Sequence, residues 1–179
     1  MINRTECMAL VIDYQERLLI AMNEREEIAK KAEILIKGLK ALDIPMIITQ
    51  QYTKGLGMSE AFVFEAAQTS EYMDKTEFSA MGNEAISKVV KASGKPKIIV
   101  CGIEAHICVL QTCLDLKAQG FEPLLVLDCI GSRKKSDLDM TIVRAQQEDI
   151  MVTTTESILF ELLGRADDDA FKTISKLIR

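Results

Sequence analysis

A chain of 179 residues, 48% apolar and 27% charged, has room for one domain with a sizeable core. Its net charge of −5 argues against a nucleic-acid partner, which wants clustered Lys and Arg, and the lack of a run of about 18 apolar residues argues against a membrane span. The opening "MINRTECMALVID" lacks the apolar core of a signal peptide, so the five cysteines are expected as free thiols in a reducing cytoplasm.

In chain order, "MALVID" (8–13) reads as a short apolar strand ending in an acid. Residues 25–42 place Ile28, Ala32, Leu35, Leu39 and Leu42 at helical spacing. Pro45 restarts the chain, and "MIITQ" (46–50) reads as a second strand. "QYTKGLGMSE" (51–60) carries two glycines and reads as a loop of functional length. Asn83 is placed to cap a helix running to about Ala92. "KPKIIVCG" (95–102) is a turn, then a strand, followed by a helix over 107–119 that Gly120 stops. "PLLVLD" (123–128) is another strand. The basic run "SRKKS" (132–136) is balanced by Asp137 and Asp139 and reads as a solvated loop. Ser136 with Asp139 resembles a capping box for a helix to about Glu148. "IMVTT" (150–154) is a last strand, and two helices lie either side of Gly164.

Apolar strands without polar alternation, separated by helices, imply a parallel sheet buried on both faces. The expected fold is a single three-layer α/β/α domain over 1–179, with a mainly parallel central sheet. Ligands in such sheets bind beyond the carboxyl ends of the strands, near a switch in strand order. The polar residues at those ends are Asp13, Gln50, the "GIEAH" turn, Asp128 and Thr153 to Thr155. Asp13 is equally suited to capping a turn.

Three thiols fall in one apolar stretch, "IVCGIEAHICVLQTC". Cys101 lies inside a strand and Cys113 on the apolar side of a helix, where a cysteine is a small hydrophobe. Cys108 follows a strand-to-turn segment and falls in the first turn of a helix, where the helix dipole favours a thiolate. Spacing alone leaves a packed thiol and a reactive one both open. A nucleophilic cysteine needs a base. His106, the one histidine, is two residues away, and neighbours on a turn seldom meet side by side. Asp13 and Lys75 are the other candidates, and a lysine by itself reads as a surface charge.

Asp13 after its strand, Lys75 before "FSA", and Cys108 in "CGIEAHICV" resemble the Asp-Lys-Cys triad of the isochorismatase-like cysteine hydrolases. "QQYTKGLG", "LDLKAQG", "TTTESILFELLG" and "FKTISKLI" are similar to the isochorismatase domain-containing subgroup, and the resemblance runs from Leu10 to Ile178. It implies Asp13 as general base, Lys75 as the cation holding the thiolate, and Cys108 as nucleophile. It also implies a cis Ile103–Glu104 peptide and an oxyanion hole made by the backbone N–H groups of Glu104 and Cys108. Gln50, Tyr52, Phe78 and Glu104 become candidate substrate-pocket residues. Nicotinamidases of this fold hold a metal with an Asp and two His after the second strand. The corresponding loop here has neither, so no metal and no cofactor are expected, and activity is expected to survive chelation. The resemblance points to a small-molecule amide, carbamoyl or related acyl substrate, cleaved through a Cys108 thioester. The alternative is a non-catalytic oligomeric or redox-sensing binding protein on the same fold. The apolar faces of the last two helices (Ile158, Leu159, Leu162 and Leu163; Phe171, Ile174, Leu177 and Ile178) are expected to mediate a homo-oligomer. Cys108 is expected to be a thiolate near neutral pH, with Cys101 and Cys113 protonated.

Overall fold

The computed structural model describes residues 2–179 and builds them around six strands. In chain order these are β1 (Cys7–Ile12), α1 (Glu16–Leu19), α2 (Arg25–Ala41), β2 (Met46–Gln51), α3 (Thr53–Leu56), α4 (Ala61–Ala67), β3 (Met73–Lys75), α5 (Glu84–Ala92) and β4 (Lys97–Ile103). A π-helical turn, Ala105–Val109, leads into α6 (Leu110–Ala118). The chain ends with β5 (Glu122–Gly131), α7 (Lys135–Gln147), β6 (Met151–Thr153), α8 (Thr155–Leu163) and α9 (Phe171–Ile178).

All strand pairs are parallel, in the order β3-β2-β1-β4-β5-β6. From β1 the chain first builds outward through β2 to β3, then returns to add β4 on the other side. The switch point therefore lies between β1 and β4, and their carboxyl ends carry Asp13 and the Glu104–Cys108 turn. Alternation along the strands feeds two cores. Cys7, Ala9 and Val11 of β1 face α2, α4, α8 and α9. Met8, Leu10 and Ile12 face the opposite core, with residues of α5, α6 and α7. Burial on both faces explains why the strand sequences are continuously apolar.

Local signals account for several boundaries. The Asn83 side chain accepts the Ile86 N–H at 3.2 Å, capping α5. Gly120 follows α6 with φ +85°, a conformation that costs glycine little.

Five expectations change. Residues 51–60 contain the helical turn α3 and are not wholly irregular. A strand unseen in the sequence pattern, β3, is too short to show a period, and it ends on Lys75. Helix α7 begins at Lys135 with Lys134 at the cap position. Ser136 is thus inside the helix, Asp139 is paired with Lys135 at 2.7 Å, and the capping box does not form. Lys135 and Ser136 therefore belong to a helix, and Ser132 is buried, so only part of "SRKKS" is solvated loop. Finally, the apolar faces of α8 and α9 are used within the chain: Ile158, Leu159, Leu162, Leu163 and Ile174 are buried in the core over α2, with Phe171 and Ile178 packed against it. These helices leave little apolar surface for a partner. No helix among the described residues is long and apolar enough to cross a membrane.

Candidate active site

Asp13 is the first residue beyond β1. Its backbone is left-handed, with φ 54°, a region that Asp tolerates better than most residues. This breaks the strand alternation and lets the carboxylate reach the α5–α6 side of the sheet. There it is fully buried. Its Oδ1 accepts the Thr49 hydroxyl at 2.7 Å, and its Oδ2 accepts the Lys75 ammonium at 2.6 Å. Lys75, also buried, directs Nζ to Gln51 Oε1 at 2.6 Å and to the carbonyls of Phe78 and Glu77 at 3.1 and 3.3 Å. A buried charge needs both a counter-charge and satisfied protons, and these acceptors supply them.

The nucleophile candidate arrives from the other side of the switch point. Gly102, at φ +142°, has no room for a side chain: a Cβ there would come within 2.2 Å of the Ile12 carbonyl oxygen. This close approach keeps the end of β4 against the end of β1. The Ile103–Glu104 peptide is cis, and the π-helical turn follows. Within that turn the Glu104 carbonyl takes the N–H groups of Ile107, at 3.1 Å, and Val109, at 3.3 Å. The Cys108 carbonyl accepts the Thr112 hydroxyl at 2.6 Å, and the same Thr112 oxygen receives the Ala80 N–H at 2.9 Å. Thr112 thus ties the Cys108 helix to the loop that offers its carbonyls to Lys75.

Asp13, Lys75 and Cys108 are therefore brought into one buried cluster, with the Asp13 carboxylate beside the thiol. Cys108 is 5% exposed, whereas Cys101 and Cys113 are fully buried. Burial, and then the neighbouring Asp13 carboxylate, push the Cys108 thiol up to about 12 against the pull of Lys75. Burial alone holds Cys113 at about 12, and it is the dominant effect that puts Cys101 there too. The expected thiolate is thus corrected: Cys108 keeps its proton near neutral pH, because desolvation and a like charge outweigh the Lys75 cation and the Glu104 backbone hydrogen bond. Burial also raises Asp13, with the Lys75 ion pair and hydrogen bonds opposing. A carboxylate made more basic beside a protonated thiol forms a pair that titrates together.

The pocket candidates divide. Gln50 alternates to the far face of the sheet, where its Oε1 accepts the Thr53 hydroxyl at 2.8 Å. The side chains that do face the cluster are its neighbours Thr49 and Gln51, missed in the sequence. Counting alternation forward from Ile47, which belongs to the α5–α6 core, finds them. Tyr52 and Phe78, 52% and 55% exposed, stand beside the Lys75 end of the cluster: the Tyr52 N–H donates to the Lys75 carbonyl, and Phe78 lends its own carbonyl to Lys75. The Glu104 carboxylate is committed to Arg133, whose Nε donates at 3.0 Å. His106 meets Ser132 and not the sulfur, with Nδ1 2.9 Å from the hydroxyl oxygen. Among the described residues no three His, Cys, Asp or Glu side chains converge as metal ligands. A cavity of about 590 Å³ near the start of β2, lined by Lys40, Pro45, Met46 and Tyr72 among others, shares no residue with the cluster.

A family model described as the isochorismatase domain matches residues 7–157. Isochorismatase domain-containing protein 1 of Salmo salar is 36% identical over 169 residues, which are 93% of this chain and 59% of that protein. The chain thus spans less than two thirds of that relative's length. A MAR1 ribonuclease from Caenorhabditis elegans superposes with a TM-score of 0.92 at 34% identity, covering 99% of this chain and 91% of the other. The YcaC gene product of Escherichia coli, an octameric hydrolase of unknown specificity, superposes with a TM-score of 0.93 over 99% of this chain and 88% of the other. At 22% identity that likeness speaks for the fold alone.

Proposed function

The chain belongs to the isochorismatase family, and from that premise we propose that it hydrolyses a small amide, carbamoyl or related acyl compound through a thioester on Cys108. The observation that carries this reading is the buried Asp13–Lys75 ion pair, 2.6 Å long, against a barely accessible thiol. Asp13 takes the thiol proton as sulfur attacks the acyl carbon, and Lys75 offsets the negative charge left on the pair. The carbonyl oxygen becomes an oxyanion, for which the N–H groups of Glu104 and Cys108 are the donors; each such donor is worth roughly 3 kcal/mol. Asp13 then returns the proton to the leaving amine, and the C–N bond breaks to leave the thioester. A water molecule, deprotonated by Asp13, attacks the thioester and releases the acid, and Cys108 regains its proton.

Tyr52 and Phe78 form the rim over which substrate enters. The scheme uses no metal, and turnover is expected to survive EDTA. Five free thiols fit a reducing compartment such as the cytoplasm.

The test is a panel of amides, carbamoyl compounds and activated esters, with acyl-enzyme trapped by acid quench and located by mass spectrometry. An acyl mass on the peptide carrying Cys108, absent in Cys108→Ala, supports the scheme. Turnover unaffected by Cys108→Ala overturns it.

The Caenorhabditis elegans neighbour favours a second reading, RNA cleavage. There Asp13 would deprotonate a ribose hydroxyl and Lys75 would face the phosphate, with no role for sulfur. RNA degraded equally by the protein and its Cys108→Ala variant would select it.

A further inference from the structure

The turn that carries Cys108 is held from outside by a second polar cluster, which the hydrolytic scheme leaves unused. Glu104 Oε2 accepts from Arg133 Nε at 3.0 Å and from the Arg133 backbone N–H at 3.2 Å. Two residues further on, His106 Nδ1 lies 2.9 Å from Ser132 Oγ, and its Nε2 lies 3.9 Å from Asp137 Oδ2. All the partners come from one place, the junction between β5 and α7.

The two clamps differ in quality. The Arg133 side chain is 60% exposed, and water screens an ion pair of that kind. Ser132 is 1% exposed, and its own carbonyl accepts the Asn23 N–H at 3.2 Å. Its hydroxyl is therefore a fixed point. The imidazole satisfies that point in either charge state. When neutral, Nδ1 accepts the hydroxyl proton and Nε2–H is turned toward Asp137; when protonated, both nitrogens donate. The Ser132 oxygen is too enclosed to meet a substrate, so the Asp137, His106 and Ser132 sequence is a support and not a second nucleophile.

The turn needs such support. In π geometry the Glu104 carbonyl is shared between the Ile107 and Val109 N–H groups, a wider and less regular arrangement than α-helix. The backbone alone holds Cys108 less firmly than an α-helical turn would.

We propose that His106 is a positioning residue: by gripping Ser132 it locks the π turn so that the Cys108 sulfur stays aligned with Asp13 and Lys75. The inference rests on the reading of Cys108 as nucleophile. Misplacing a reacting atom by about 1 Å costs up to roughly a hundredfold in rate, and losing one of several supports is expected to cost about tenfold.

The experiment is the rate of iodoacetamide alkylation at each cysteine, resolved by peptide mass spectrometry between pH 6 and 10, with thermal unfolding measured in parallel. His106→Leu should slow Cys108 about tenfold while Cys101 and Cys113 remain unlabelled. His106→Asn, whose amide oxygen can accept the Ser132 hydroxyl, should recover most of that rate at a similar Tm. Ser132→Ala should match His106→Leu, and the double variant should be no slower than either. Labelling of Cys101 or Cys113 in His106→Leu marks a loosened fold, and Ser132→Ala, which removes one oxygen, then decides. Wild-type rates in both His106→Leu and Ser132→Ala, or His106→Asn as slow as His106→Leu, overturn the inference while leaving the nucleophile in place. Failure of the wild-type protein to label Cys108 ahead of the other thiols overturns the nucleophile reading and this inference with it.

Discussion

Cys108 and Cys113 stand on consecutive turns of one helical segment, and burial lifts both thiols to about 12. Their surroundings nevertheless differ in kind. For Cys113 burial is the whole cause, and it belongs to the apolar core that includes Leu116 and Val100. For Cys108 a carboxylate pushes up and an ammonium pulls down, and both belong to groups buried as deeply as the core itself. A perturbed thiol therefore says little by itself. What separates the two sulfurs is the ionisable pair beside Cys108, because desolvation penalises a thiolate in either place.

The largest break in the comparison is Cys108→Ala against Cys113→Ala. The first should lower turnover by at least about 10⁴-fold, as loss of a covalent nucleophile does. The second should leave turnover within about threefold and cost about 1 kcal/mol of stability for a cavity the size of one heavy atom. Steady-state kinetics and urea unfolding on both variants check the pair, and equal losses of turnover would remove the distinction.

Next is Asp13→Asn. Turnover should fall on the order of 10³- to 10⁴-fold with the base gone. The Lys75 ammonium would then be buried without its partner, at a cost of about 3–5 kcal/mol. For a chain of this length that corresponds to a fall in Tm of roughly 10 °C. The double variant Asp13→Asn with Lys75→Met should recover much of the stability and none of the activity. A double variant no more stable than Asp13→Asn would show that the ion pair is not what the charges cost.

Lys75→Met sharpens the comparison from the cation's side. It should raise the apparent Cys108 thiol pKa, and so slow iodoacetamide labelling of Cys108 by about tenfold at pH 8, one pH unit's worth of thiolate. Cys113 should be unaffected. Asp13→Asn should shift the Cys108 profile the opposite way, since the like charge is gone.

The smallest effect lies in the pH dependence of stability. Cys101, Cys108 and Cys113 hold their protons to about pH 12 and Cys7 to about 11 in the folded protein, against an ordinary value of 9.0. The folded state thus binds more protons than the unfolded state above pH 9. The contribution of these thiols is full below pH 9 and is lost as pH rises toward 12. Each thiol adds up to about 1.4 kcal/mol per pH unit to that slope. Cys113→Ala should flatten the alkaline limb of the urea midpoint by one thiol's share, and an unchanged limb would count against its buried, protonated state.

The sequence by itself determined the layered fold, because apolar strands without alternation can only be buried on both faces, and because periodicity and caps are local properties of the chain. It placed Cys101 inside a strand and Cys108 at a helix start, since both positions are written in neighbouring residues, but it left open whether Cys108 was packed or reactive until the family resemblance was added. The tertiary structure decided the rest. Asp13 and Lys75 are 62 residues apart and meet only through the β1-β2-β3 pairing, and β3 is too short to carry a periodic signal. Thr49 and Gln51, not Gln50, face the site because the sheet fixes which side each residue takes. The apolar faces of α8 and α9 turned inward because α2 offered them a core. The protonation of Cys108 followed from desolvation, a property of the atoms packed around a group, which no local pattern of residues contains.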